Sequence, residues 1–169
     1  RYPSVQAVCV VFIALILSDV SADEPATNDD QIRRLGTAPV IRLPGEGFQG
    51  KLPTATPEQL ELAKSLRQSV EFLVTEIGER NLFEYENLAK TADWLDRALV
   101  KIGFEVERQS YAVDRLRCDN LIVQRKGEKK PDEIVLVGAH YDSVINSPGA
   151  NDNASGSAAL LELARRFSR

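Results

Sequence analysis

The chain has 169 residues, 43% of them apolar and 27% charged, with 21 basic side chains against 25 acidic ones. That is length for about one domain at roughly 100–200 residues per domain, with enough apolar material to bury a core without disulfides. A net charge of −4 excludes the basic footprint that nucleic-acid binding needs. The sequence holds one His and no Met. A ribosomal product begins with Met, so translation is expected to start upstream of Arg1 and the chain to be a fragment.

Residues 1–22 read as a secretory signal. Arg1 supplies the positive end, and Ala7 to Leu17 is an uncharged apolar run of 11 residues. Val20-Ser21-Ala22 offers small residues where a signal peptidase cuts, with Asp23 following. The run is shorter than the ~20 residues of a bilayer-spanning helix. The competing readings are a buried strand or an uncleaved anchor. Export would make the protein secreted or periplasmic, with no stable membrane span after cleavage, and membrane-anchored if the signal stays. Cys9 leaves with the signal, so Cys118 is the only thiol of the exported portion. A lone thiol forms no internal disulfide and is expected to be a buried apolar residue, the alternative being a partner cysteine beyond Arg169.

From Asp23 to about Thr56 no periodicity persists. Pro25, Pro39, Pro44, Pro53, Gly36, Gly45, Gly47 and Gly50 punctuate it, and residues 23–56 read as a flexible linker or propeptide-like segment. Thr56-Pro57-Glu58-Gln59 has capping-box form. Leu62, Leu66, Val70, Leu73 and Ile77 then recur at helical spacing up to Gly78. A second helix is predicted from Tyr85 to Ile102, with Leu88, Leu95, Leu99 and Ile102 on one face, Trp94 in the core beside them, and Gly103 as its left-handed end.

Beyond Gly103 the period becomes two. Phe104-Glu105-Val106-Glu107 alternates as a half-exposed strand does, and Cys118 to Gln124 reads as a second strand. Arg125 to Asp132 is a charged turn of both signs. Ile134-Val135-Leu136-Val137 has the unbroken apolar form of a strand covered on both faces. A last helix is predicted over Ala154 to Phe167, burying Leu160, Leu161, Ala164 and Phe167 and pairing Glu162 with Arg166. Helices, strands, then a buried strand feeding a helix make an α/β layer architecture.

Open α/β sheets bind ligands beyond the carboxyl ends of their strands. The buried strand ends in Gly138-Ala139-His140-Tyr141-Asp142, which puts the sole His there. Asp142 lies two residues on, on the same side of an extended backbone. A carboxylate so placed can hold one imidazole nitrogen and leave the other for a metal. The small polar run Ser147-Pro148-Gly149-Ala150-Asn151-Asp152-Asn153-Ala154-Ser155-Gly156 then enters the last helix. Its one carboxylate, Asp152, has two oxygens and could bridge two cations about 3.5–4 Å apart. Taken singly, a His near a strand end is more often structural and such a run is more often a helix cap; their conjunction favours a site. No Gly-Lys-Ser/Thr follows for a phosphate loop, and Ser155 lacks a nucleophile-elbow frame.

Val137-Gly-Ala-His-Tyr-Asp-Ser143, with Pro148 to Gly156 and Leu160-Leu-Glu-Leu-Ala-Arg165, resembles the co-catalytic zinc aminopeptidases of peptidase family M28. The likeness runs from about Leu62 to Arg169 and includes Glu86-Asn87-Leu88 and Gly103 to Gln109. It implies a three-layer zinc-exopeptidase sandwich, a mixed sheet between helices, of which residues 57–169 are the N-terminal part. It implies that His140 ligates one zinc, that Asp152 bridges two, and that Asp142 orients His140. It also implies a cis Asp152–Asn153 peptide.

The family's Glu-Glu pair (base and ligand), a further Asp and a second His lie downstream of this loop. Residues 1–169 contain no Glu-Glu pair and no second His. The expected function is a secreted two-zinc aminopeptidase acting on peptide substrates, with this stretch inactive alone. The alternatives are a one-zinc glutaminyl cyclase-like enzyme and a non-catalytic peptidase-like binding domain.

Overall fold

Thr56 opens the first helix as its sequence predicts. Its hydroxyl accepts from the Gln59 backbone N–H at 3.3 Å, and the Gln59 side chain accepts from the Thr56 N–H at 2.9 Å. Two donors that a helix end would leave open are thereby satisfied. In the computed structural model, which describes residues 10–15, 50–127 and 134–168, helix α1 runs Pro57–Glu71. It widens into a π-helical stretch, Phe72–Ile77, before Gly78. Of the predicted apolar stripe Leu73 is buried, whereas Leu62 stays exposed.

Helix α2 spans Tyr85–Ile102, the predicted bounds. Gly103 takes a left-handed φ of 111° and closes the last turn by donating to the carbonyls of Leu99 and Val100. Leu88, Ala92, Leu95 and Leu99 form its buried face. Trp94 packs against that core and stacks on Phe72 with ring centroids 5.0 Å apart.

The strand expected at Phe104–Glu107 is corrected. Strand β2 runs Glu107–Val113 and pairs antiparallel with β3, Leu116–Arg125. The alternation at Phe104 and Val106 reflects their packing into the core, outside any ladder. Asp114 and Arg115 turn the hairpin with φ of 48° and 70°. This turn lacks the glycine that usually signals such geometry, so the sequence hid most of β2.

Strand β4, Val135–His140, and strand β1, Val10–Leu15, complete a mixed sheet in the order β2-β3-β1-β4. Strand β1 is parallel to β3 and antiparallel to β4. Its residues belong to the apolar run read as a signal, and they take the strand form that was the competing reading. The rest of segments 1–22 and 23–56 lies outside the described residues, apart from the exposed stretch 50–56. The charged turn is described only to Gly127 and again from Ile134.

The class is α/β. Helix α3, Ser155–Phe167, packs with α2 on the sheet face that carries Leu121, Val123 and Ala139. Leu160, Leu161 and Ala164 are buried there as predicted, and Phe167 is partly buried. Covering of β4 on both faces is corrected: Leu136, on the opposite face, is 60% exposed because no described helix lies against it. Glu162 pairs with Arg165 at 2.8 Å rather than with Arg166, since it also accepts from Ser65 of α1 at 2.6 Å. Cys118 is buried, as expected. Among the described residues no helix is long and apolar enough to cross a membrane.

The chain divides into two units. One comprises Arg1–Ser18 with Thr56–Arg169 and holds every element above; the other is Asp19–Ala55.

Candidate metal centre

Strand β4 delivers His140 as its last residue, and the backbone beyond it leaves the ladder. The Ser157 hydroxyl, on the first turn of α3, donates to the His140 carbonyl at 3.2 Å. Asp142 sits two residues on, with Oδ1 at 3.1 Å from His140 Nδ1. The other ring nitrogen, Nε2, stands 2.9 Å from Asp152 Oδ1. The three residues singled out in the sequence therefore meet on one imidazole, a carboxylate at each nitrogen.

Asp152 reaches this position through an irregular loop. Gly149 adopts a left-handed φ of 56°, and its carbonyl accepts from the Ala154 N–H at 3.0 Å. Asp152 and Asn153 between them have non-helical dihedrals (φ −116°, ψ 92° and φ −139°, ψ 40°). The peptide joining them is cis, as the resemblance implies. Asn153 Oδ1 accepts from the Gly156 N–H at 3.0 Å, so this side chain caps α3. The loop is both a helix cap and the support of an outward carboxylate: Asp152 is 81% exposed.

The donor set fits zinc. Imidazole nitrogen and carboxylate oxygen are its common biological ligands, and two of them on one tetrahedral ion at ~2.0–2.1 Å stand about 3.3 Å apart. Nε2 and Oδ1 are already near that spacing. Among the described residues no group of three or more His, Cys, Asp or Glu side chains gathers around a metal position. Asp142 lies on the far side of the ring, where it can orient the imidazole but not share its ion.

Sequence reasoning missed Arg80, Ser143 and Ser157, all buried against this region. Burial pulls the Arg80 guanidinium below the ordinary arginine value, and the charge of Asp142 partly offsets that. No periodicity marks a buried arginine, so only the fold reveals it.

A second polar group stands behind Tyr141, whose hydroxyl donates to the Asp119 carbonyl at 2.7 Å. The Asp119 carboxylate accepts from Ser110 at 2.6 Å, Arg117 at 3.0 Å and Arg108 at 3.3 Å. Burial raises its pKa, but the hydrogen bonds and the two arginine charges outweigh burial and hold it below the usual carboxylate range. A depressed folded pKa contributes stability above the unfolded value, and that contribution is lost as pH falls through the folded one. The wild type is therefore expected to lose stability progressively below about pH 4. Asp119→Asn should cost about 2 kcal/mol at pH 7 and flatten the acid limb. Urea midpoints across pH check this; an unchanged acid limb in the variant refutes it.

Residues 120–169 match the model of peptidase family M28. Uncharacterized protein YfbL of Escherichia coli is 33% identical over 119 residues, covering 66% of this chain and 34% of YfbL. Aminopeptidase YwaD of Bacillus subtilis is 61% identical over 44 residues, 26% of this chain and 10% of that protein. A probable zinc metalloprotease of Pyricularia oryzae is 42% identical over 60 residues, 31% of this chain and 12% of that protein. The chain thus spans about a third or less of the length of these relatives. No solved structure matches it.

Proposed function

We propose that the chain, whose residues 120–169 match peptidase family M28, is part of a secreted two-zinc aminopeptidase. Its substrates are peptides, from which it removes N-terminal residues. The observation that carries the reading is the imidazole of His140 held between Asp142 and Asp152. The aminopeptidase and zinc metalloprotease among the relatives support the reaction class and the metal.

Zinc supplies, when bound, polarisation of the scissile carbonyl and a lowered pKa for the attacking water. The chain's own residues prepare for it. Asp142, by accepting a hydrogen bond from Nδ1–H, would leave Nε2 of His140 to hold a metal together with Asp152. Asp152, on a loop that Asn153 ties to α3, would hold metal through its carboxylate. The base that takes the proton from water belongs to the Glu-Glu pair of the family pattern, which residues 1–169 do not contain. Export rests on the sequence of segment 1–22 alone, since its residues 10–15 form strand β1 in the fold.

Full-length protein is expected to bind two zinc ions per chain and to cleave aminoacyl-nitroanilides. One zinc with no such cleavage, or cyclisation of N-terminal glutamine instead, overturns the proposal. Residues 1–169 alone, with two direct ligands, should bind zinc only weakly; sub-micromolar affinity by calorimetry contradicts that.

A further inference from the structure

Arg80 lies between α1 and α2, and its side chain is completely buried. Among the described residues no carboxylate pairs with it directly. Its guanidinium is spent on backbone carbonyls. Nε donates to Tyr141 at 2.9 Å; Nη1 donates to Leu73 at 2.9 Å, Gly78 at 2.6 Å and Pro148 at 2.8 Å; Nη2 donates to Gly149 at 3.4 Å. These acceptors fall into three groups. Leu73 and Gly78 belong to the end of the first helical segment and fix the guanidinium to the scaffold. Tyr141 adjoins His140. Pro148 and Gly149 lead into Asp152.

The backbone of Arg80 repeats the pattern. Its N–H donates to Ser143 Oγ at 2.9 Å, its carbonyl accepts from the Ser143 N–H at 2.7 Å, and Ser143 Oγ donates on to Ser147 at 2.8 Å. Loop 141–149 is therefore folded around one residue. A buried cation with carbonyl partners is an expensive way to add stability alone. Its use lies in geometry: a planar fork of five N–H donors fixes several acceptors in one arrangement, which three ammonium donors cannot copy.

We propose that Arg80 is the positioning residue of this centre, holding the segments that bear His140 and Asp152 at the separation a shared metal requires. This rests on the zinc reading above for the metal, whereas the juxtaposition of the two segments does not depend on it. A further tie, from Ser157 to the His140 carbonyl, is a single neutral hydrogen bond.

The test compares Arg80→Lys with Leu99→Ala in the full-length protein. Leu99 is a fully buried α2 residue outside the loop, so its truncation reports loss of stability alone. Zinc affinity is read by titration after chelator stripping, and amide hydrogen exchange is read at Ser143 and Ala154 with Leu121 as reference. Arg80→Lys is expected to weaken zinc about tenfold or more, the scale of losing an outer partner of a ligand. Exchange should quicken at Ser143 and Ala154 and stay slow at Leu121. Leu99→Ala should lower the melting temperature while leaving zinc affinity within about twofold. Unchanged affinity and exchange in Arg80→Lys overturn the proposal, as does equal zinc loss in both variants.

If Arg80→Lys does not fold, Ser143→Ala decides: about a threefold loss of zinc affinity with the same exchange pattern supports the role, and no change refutes it. Wild-type protein that binds no zinc refutes the metal reading. Exchange at the two loop amides then judges the positioning role separately.

Discussion

His140→Ala in the full-length protein is expected to lose one of two zinc ions and to slow peptide hydrolysis by at least about a thousandfold. The reason is geometric. Nε2 is the only imidazole nitrogen in residues 1–169 that faces a carboxylate and solvent together, 2.9 Å from Asp152. Alanine removes the nitrogen and leaves Asp152 with nothing opposite to fix the ion. Asp142→Asn should cost less, about 10–100-fold, because the ligand remains and only its orientation weakens. Metal analysis with a nitroanilide assay checks both. Two zincs and retained turnover in His140→Ala reject the residue as a ligand, and an Asp142→Asn loss equal to that of His140→Ala rejects the orienting role.

Gly149→Ala is expected to be the most damaging single-methyl addition near the site. The position has a φ of 56°, which costs an ordinary L-residue about 1–2 kcal/mol. A Cβ there would stand 2.5 Å from the Asp152 carbonyl oxygen and 2.7 Å from the Ser143 Cβ. Neither is the far end of a flexible chain, so the backbone carrying Asp152 must shift. A total loss of about 2–4 kcal/mol follows from strain plus overpacking. Zinc affinity should fall with it, because the displaced atom belongs to Asp152 itself, a proposed metal ligand. Urea midpoints and zinc titration together decide; wild-type values in both show that the loop can yield without moving Asp152.

Local chemistry made much of the fold legible. The capping box at Thr56, the left-handed Gly103 and the apolar spacing of α2 are interactions within a few residues, so they can be read along the chain. The residues that meet at the imidazole were readable for a related reason. His140 and Asp142 are two apart on extended backbone, and Asp152 sits in a run too polar and too small to be core. Strand β2 escaped because its turn, Asp114-Arg115, uses two non-glycine residues at positive φ. The Glu162 pairing was misjudged because its partner is chosen by Ser65, 97 residues earlier in the chain.

By itself the sequence determined the α/β class, the ends of α2, the start of α1 and the three residues that meet at the imidazole. Each depends on periodicity or on spacing of a few residues. Only the tertiary structure decided that His140 Nε2 faces Asp152 across the eleven residues between them, that Leu136 lies bare, and that Arg80 sits under the site. Those facts arise from groups that converge through space. A buried guanidinium is recognised by the carbonyls around it, and carbonyls are common to every residue, so no side-chain pattern announces where they will gather.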